Sequence, residues 1–272
     1  VPKVEDCVIE SRHLGLVLPD EIPELKERLH KLAGVLEKTL DIDRILKLAQ
    51  KAPEISDTKP EAVSDFRLPE PVRIGVAEDE AFCFFYEDNF ELLKEMGAEL
   101  IPFSPLKDGN FPDELDGLLL YGGYPELNGK KLEQNIPMRN RIREELKAGM
   151  PCMAECGGFM YLHEELEGMD GRFYQTVGVI PGRKSVFGRE DFGEIPAHEF
   201  HYFDSESCGD DFHAAKPESQ RGWEYIHGSD SMMAGFPHLY YYGNPEVPRA
   251  FLEKCLAYKK QRSSLRQEDQ EE

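Results

Sequence analysis

From Val72 the chain alternates short apolar runs with amphipathic stretches, and this rhythm predicts its elements. Val72–Ala77 reads as a strand, Asn89–Gly97 as a helix stopped by Gly97, and Glu99–Phe103 as a second strand. A third strand is predicted over Leu115–Tyr121, running into Gly122-Gly123. One helix is predicted over Leu132–Lys147 and a fourth strand over Met150–Glu155. Strands alternating with helices predict an α/β fold, a parallel sheet covered on both faces. Ligands of such sheets bind beyond the carboxyl ends of the strands, where Gly122-Gly123 and Cys156 both fall. After about Gly168 the pattern loosens. Tyr174–Ile180 and Glu199–Tyr202 look extended, Phe251–Tyr258 reads as a last helix, and 259–272 lacks apolar period and is expected to be disordered.

Residues 1–68 follow a different rhythm. An amphipathic helix is predicted around Ile22–Leu40 and a second near Asp43–Gln50, with Asp41 or Asp43 as N-cap. Ser56-Asp-Thr-Lys-Pro-Glu-Ala62 reads as a linker. Two helices make a poor independent domain, so 1–68 reads as the end of a domain whose beginning is absent. The expected organisation is therefore 1–68, a sheet domain over 69–258, and the tail 259–272.

A net charge of −21 argues against a nucleic-acid partner, because phosphates would be repelled, but leaves room for a small anionic substrate in a local basic pocket. No apolar run is long enough to predict a transmembrane helix. The six cysteines show no repeated C-x-x-C spacing, so reduced thiols in a cytoplasmic enzyme are expected rather than disulfides or a zinc cage.

The chemistry centres on Pro151-Cys-Met-Ala-Glu-Cys-Gly-Gly-Phe-Met-Tyr-Leu162. An apolar run enters Cys156, two glycines follow, and a helical pattern begins: the layout of a nucleophile elbow with Cys in the nucleophile's place. Gly157 and Gly158 remove the Cβ atoms that a sharp turn would clash with. The helix dipole behind Cys156 is expected to favour thiolate over thiol. Cys152, inside the predicted strand, suits a buried structural role instead. The nucleophile also needs oxyanion donors, and the backbone N–H of Gly157 and one from Gly122-Gly123 are the candidates.

A base is needed too, and eight histidines compete for the role. His238, in a late loop after the last predicted strand, is the natural choice, but spacing sets it barely ahead of His198 and His201 in Ala197-His-Glu-Phe-His-Tyr202. That motif also invites a metal reading. Helical metal pairs need i and i+4, whereas these histidines stand at i and i+3 in a stretch read as strand, so no metal is expected.

Several long motifs occur in order: Glu78–Asn89 (EDEAFCFFYEDN), Phe103-Ser-Pro105, Tyr121-Gly-Gly-Tyr-Pro-Glu-Leu127, Ala154–Leu162 (AECGGFMYL) and His198-Glu-Phe-His-Tyr202. Together they resemble the cobyrinate a,c-diamide synthase family, and Glu10–Leu16 (ESRHLGL) looks like the end of that family's ATP-dependent synthetase domain. The resemblance covers nearly all of residues 7–258. It implies a flavodoxin-like class I glutamine amidotransferase domain preceded by a partial helical segment, with Cys156 as nucleophile, His238 as base, and Gly123 and Gly157 holding the oxyanion. Gly122, Tyr124, Glu126, Gly158, His198, Glu199, His201 and Tyr202 would contact substrate or the synthetase domain.

The complete enzyme of this family amidates the a and c acetate side chains of cobyrinic acid, with glutamine as amide donor and ATP and Mg²⁺ held by its N-terminal domain. Amidation of another tetrapyrrole, nickel sirohydrochlorin, is the runner-up, and a non-catalytic subunit docked on a synthetase partner is the different-class alternative. The sequence departs from the family in three places. No GxxxxGK[ST] occurs, which puts the ATP-binding portion outside these residues, cut off or on a separate polypeptide. Tyr240 stands where the family has a second histidine. Two glycines rather than three precede Tyr124-Pro-Glu-Leu. This part of the family also lacks the glutamate that orients the base in other triad amidotransferases, so a dyad is expected.

Overall fold

The computed structural model describes residues 1–9, 17, 19, 22–54, 66–180, 193–201, 203–219 and 221–271. The Glu10–Leu16 motif, the linker read over Ser56–Ala62, and Tyr202 lie outside the described residues. The chain divides into two compact units, Val1–Lys59 and Pro60–Glu272.

The first unit contains α1 (Leu25–Thr39) and α2 (Ile42–Ala49). Of the two aspartates read as possible caps, Asp41 is the one used: its carboxylate accepts the N–H of Arg44 at 3.0 Å. Neither helix contains a buried residue, and Ile45, Leu46 and Leu48 of α2 are exposed.

The second unit, from Pro60, takes in residues before the expected boundary at 69: the Leu68 N–H donates to the Met96 carbonyl and Leu68 is buried. Then come β1 (Val72–Ala77), α3 (Glu87–Glu95), β2 (Ala98–Phe103), β3 (Gly117–Leu120), α4 (Gly129–Gln134), α5 (Ile136–Lys147), β4 (Cys152–Glu155) and α6 (Gly157–Tyr161). β5 (Glu165–Glu167) and β6 (Phe173–Gln175) form one small antiparallel pair. After β7 (Ala197–His198), β8 (Phe212–Ala215) and β9 (Gly222–Tyr225) form another. β10 (His227–Gly228), β11 (Met232–Gly235), β12 (His238–Leu239) and α7 (Glu246–Glu271) complete the chain.

The central sheet has the order β2-β1-β3-β4-β11-β10, parallel except for β10 at one edge. Its parallel part follows the 2-1-3-4-5 strand order of flavodoxin-like folds. Side chains of β3 and β4 alternate between two cores: Leu118, Leu120, Cys152 and Ala154 enter one, Leu119 and Met153 the other. Burial on both faces explains why these strands read as continuous apolar runs. Cys152 is the buried structural thiol the sequence suggests.

Two expectations are corrected. The single helix read over 132–147 is two helices, broken at Asn135 and restarted with Pro137 in its first turn. Proline suits that turn but cannot continue the preceding helix. The break frees Asn135 Nδ2 to donate to the carbonyls of Pro105 and Asp108 at 2.8 and 2.9 Å. Residues 259–271, expected to be a disordered tail, instead continue α7. Polar anchors replace the missing apolar period. Lys259 Nζ donates to the Pro71 carbonyl at 2.7 Å, and Arg262 holds the Leu115 carbonyl and the buried carboxylate of Asp116, the latter at 2.7 Å.

Candidate active site

β4 delivers Cys156 to the carboxyl edge of the sheet. The Cys156 N–H still follows the strand, donating to the Gly235 carbonyl at 2.8 Å, while its C=O already accepts the N–H of Met160 at 2.9 Å in the first turn of α6. Serving both elements forces Cys156 to φ 47° and ψ −107°, a strained conformation for a residue with a Cβ. The elbow read from the sequence is therefore present. Its glycines follow from close contacts. A Cβ on Gly158 would lie 2.0 Å from the Leu120 carbonyl oxygen, and one on Gly157 would lie 2.9 Å from both Gly123 N and Pro125 Cδ. Gly158 thus meets the sheet backbone, whereas Gly157 sits against the nitrogen of the other candidate oxyanion donor.

His238 arrives from β12, which pairs antiparallel with β7 in the register His238↔His198. Two buried side chains fix its loop. Asn89, on α3, donates from Nδ2 to the Leu239 carbonyl at 2.8 Å and accepts the Tyr241 N–H on Oδ1 at 2.9 Å. Glu155 accepts the Leu239 N–H on Oε1 at 3.3 Å, and its Oε2 lies 3.7 Å from His238 Nδ1. A Cβ built on Gly122 would fall 2.3 Å from His238 Cε1, 3.1 Å from His238 Nε2 and 3.3 Å from Cys156 Cβ. The space above Gly122 is where the imidazole and the elbow cysteine meet.

The other residues read as site candidates divide by what they touch. Cys83 and Phe84 both donate their N–H to the Gly122 carbonyl, at 2.8 and 2.9 Å, and fix the Gly122-Gly123 turn. Tyr124 turns into the interior edge-on to Phe84, with ring centroids 4.9 Å apart. Glu126 is buried, and burial pushes its carboxyl up to about 7. The ring of His198 lies 6.5 Å from that of His238. His201 stacks on Phe236 at 3.9 Å, and its Nε2 bonds Glu199 at 2.7 Å. Tyr225 donates its hydroxyl to the same Glu199 oxygen at 3.2 Å. Glu199 is thereby tied beside the site.

Electrostatics correct one expectation. Burial pushes the Cys156 thiol up to about 12, with Glu126, Glu155 and Glu199 adding in the same direction, while the Gly157 N–H pulls against them. The dipole of a five-residue helix and one N–H do not outweigh desolvation and three carboxylates, so the resting group is a thiol, not the expected thiolate. Burial, and then the charges of His198 and His201, pull His238 down to about 4, which keeps its imidazole neutral and able to accept a proton at pH 7. Burial pushes Glu155 up to about 8, against the pull of the Leu239 N–H.

Sequence reasoning missed the roles of Asn89 and Glu155. Asn89 closes a quoted motif, but its partners lie 150 and 152 positions away. Glu155 had a local signal, a lone carboxylate ending an otherwise apolar strand directly before the elbow cysteine.

A strained cysteine elbow on a 2-1-3-4-5 parallel sheet, with a neutral histidine across a glycine turn, defines the class: an α/β protein with a cysteine–histidine site. Residues 73–240 match the CobB/CobQ-like glutamine amidotransferase domain, and the chain belongs to that family of glutamine amidotransferases. Its relatives include proteins named cobyrinate a,c-diamide synthase. That of Priestia megaterium is 37% identical over 95% of this chain and 60% of the relative. That of Caldanaerobacter subterraneus subsp. tengcongensis is 32% identical over 95% and 61%. That of Thermoplasma volcanium is 31% identical over 96% and 61%. The resemblance read from the motifs is upheld, and the chain spans about 60% of the length of these relatives. No helix among the described residues is long and apolar enough to cross a membrane.

Proposed function

We propose that Cys156 and His238 hydrolyse the side-chain amide of glutamine and release ammonia for an amidation carried out elsewhere in the complete protein. The carrying observation is the shared space above Gly122, 3.1 Å from His238 Nε2 and 3.3 Å from Cys156 Cβ. The tautomer with its proton on Nδ1 leaves Nε2 free to accept. The thiol proton moves to Nε2 as sulfur bonds the δ-carbonyl carbon, and the carbonyl π pair moves to oxygen, where the N–H groups of Gly123 and Gly157 receive it. As the oxyanion collapses, the C–N bond breaks and His238 returns the proton to the departing nitrogen, releasing ammonia. Water, deprotonated by His238, then attacks the glutamyl thioester carbon; the C–S bond breaks and His238 returns the proton to the departing sulfur, freeing glutamate and restoring the thiol. The neutral resting pair means that the thiolate forms only as a substrate carbonyl takes up the charge.

Glutamine carries an α-ammonium as well as the reacting amide. Glu126, buried and acting electrostatically on Cys156, is the carboxylate we assign to it. His198, Glu199 and His201 line the His238 side of the cleft and form its rim toward substrate or synthetase domain. For the complete protein we propose the activity carried in the relatives' name, amidation of the a and c acetates of cobyrinic acid, in the cytoplasm. ATP and Mg²⁺ would belong to a synthetase portion beyond this chain. No glycine-rich phosphate loop occurs in these 272 residues, so none of them is assigned to either ligand.

The test is treatment with 6-diazo-5-oxo-norleucine followed by peptide mass mapping, alongside glutamine turnover. Labelling on Cys156, lost in Cys156→Ala together with turnover, supports the reading. An unlabelled Cys156 and no turnover would leave a non-catalytic docking subunit. Full turnover in His238→Ala would move the base to His198 or His201.

A further inference from the structure

We infer that Glu155 is the positioning carboxylate of the cysteine–histidine pair, taking from the strand before the nucleophile the place left vacant after the histidine. The inference rests on the glutaminase reading above. Two residues beyond His238 stands Tyr240, whose hydroxyl reaches outward to Asp88 at 3.3 Å and so does not serve the imidazole. Glu155 is buried at the end of β4, accepts the N–H of Leu239, the residue after the base, at 3.3 Å, and lies 3.7 Å from His238 Nδ1. The Cε1–Nε2 edge of the imidazole thus lies over Gly122, at 2.3 and 3.1 Å from where its Cβ would be, while Nδ1 faces a carboxyl group. That division selects the tautomer a base needs, with its proton on Nδ1 and the Nε2 lone pair left free on the side of Gly122 and Cys156.

The 3.7 Å gap is longer than a hydrogen bond. It is short enough to close when Nδ1–H becomes part of an imidazolium. No other carboxylate among the described residues is paired with His238, while Glu199 is engaged by His201 and Tyr225. Other titratable groups face the pair: His198 and His201 act on the imidazole, and Cys156, Tyr121 and Tyr241 lie in the field of the carboxylate. Burial holds Glu155 up at about 8, so the ionised form that orients Nδ1–H fills as pH rises through that range.

Glu155→Gln is the discriminating variant, because its amide oxygen can still accept the Leu239 N–H while its charge is gone. Expected is a fall in kcat of about 10²- to 10⁴-fold with KM for glutamine little changed, and partial recovery in Glu155→Asp. Wild-type kcat/KM should rise between about pH 6.5 and 9, and the variant should lose that rise. Wild-type turnover with an equally active Gln variant overturns the inference alone, whereas absent wild-type turnover and absent Cys156 labelling overturn the glutaminase reading beneath it. Should Glu155→Gln fail to fold, the wild-type profile still decides: no ionisation in that window overturns the inference.

Discussion

Gly122→Ala tests the site geometry with the smallest possible change. The added methyl carbon would sit 2.3 Å from His238 Cε1, against the 3.4 Å of ordinary contact, and 3.3 Å from Cys156 Cβ. Something must yield by roughly 1 Å, a displacement that typically costs about 10²-fold at a reacting pair. The imidazole is the part that can move, because the Gly122 carbonyl is held by the N–H groups of Cys83 and Phe84 and the cysteine is locked in its elbow. The φ of Gly122 is not in the left-handed region, so alanine adds no backbone strain there. We expect kcat/KM for glutamine hydrolysis to fall about 10²-fold, equivalent to about 2.7 kcal/mol in the barrier. Thermal unfolding should change little, since the clash falls on one side chain. Ammonia release, read through coupled glutamate dehydrogenase, gives the rate, and circular dichroism gives the fold. A Gly122→Ala protein with wild-type kcat/KM would refute the shared space above Gly122 as the place of reaction.

Three further outcomes are expected. Asn89→Ala leaves the buried Leu239 carbonyl and Tyr241 N–H unpaired, so urea unfolding should show a loss of about 2–4 kcal/mol together with reduced glutaminase activity. An unchanged midpoint would remove Asn89 as the clamp. Glu155 is raised from 4.5 to about 8, so the folded state binds its proton more tightly than the unfolded chain does; stability from this group is complete below about 4.5 and is lost as pH rises toward 8. His238, lowered from 6.5 to about 4, works oppositely below 6.5; Glu126, raised to about 7, acts in the same direction as Glu155, and the comparison with Glu155→Gln isolates the Glu155 part. Between pH 6.5 and 8 the wild type should therefore lose up to about 1.4 kcal/mol per pH unit relative to Glu155→Gln, and parallel stability curves for the two proteins would contradict this. Arg262→Ala should cost about 2 kcal/mol by stripping the cation from the buried Asp116 carboxylate, and should open the chain beyond residue 258 to limited proteolysis; resistance equal to wild type would refute the polar anchoring of α7.

The parallel sheet was legible because strands buried on both faces must be apolar throughout, and Val72–Ala77, Gly117–Leu120 and Cys152–Glu155 all stand out against amphipathic surroundings. The elbow was legible for a similar reason: a sharp strand-to-helix turn tolerates only glycine behind it, and Gly158 sits against the Leu120 carbonyl. The end of α7 was not legible, because polar side chains that anchor a helix resemble those that merely solvate a tail until Asp116 and Pro71 are seen beside them. The break at Asn135 does carry a local signal, Pro137 in the first turn of the second helix.

By itself, then, the sequence determined the sheet, the elbow cysteine and the turn glycines, since each is a local requirement written in neighbouring residues. Only the tertiary structure decided which histidine faces Cys156, because β12, α3 and the end of β4 meet there from positions as far apart as Asn89 and Tyr241. It also decided the charge states. Desolvation depends on everything packed around a group, which is how a thiol expected to ionise stays protonated and the glutamate beside it holds its proton up to about 8.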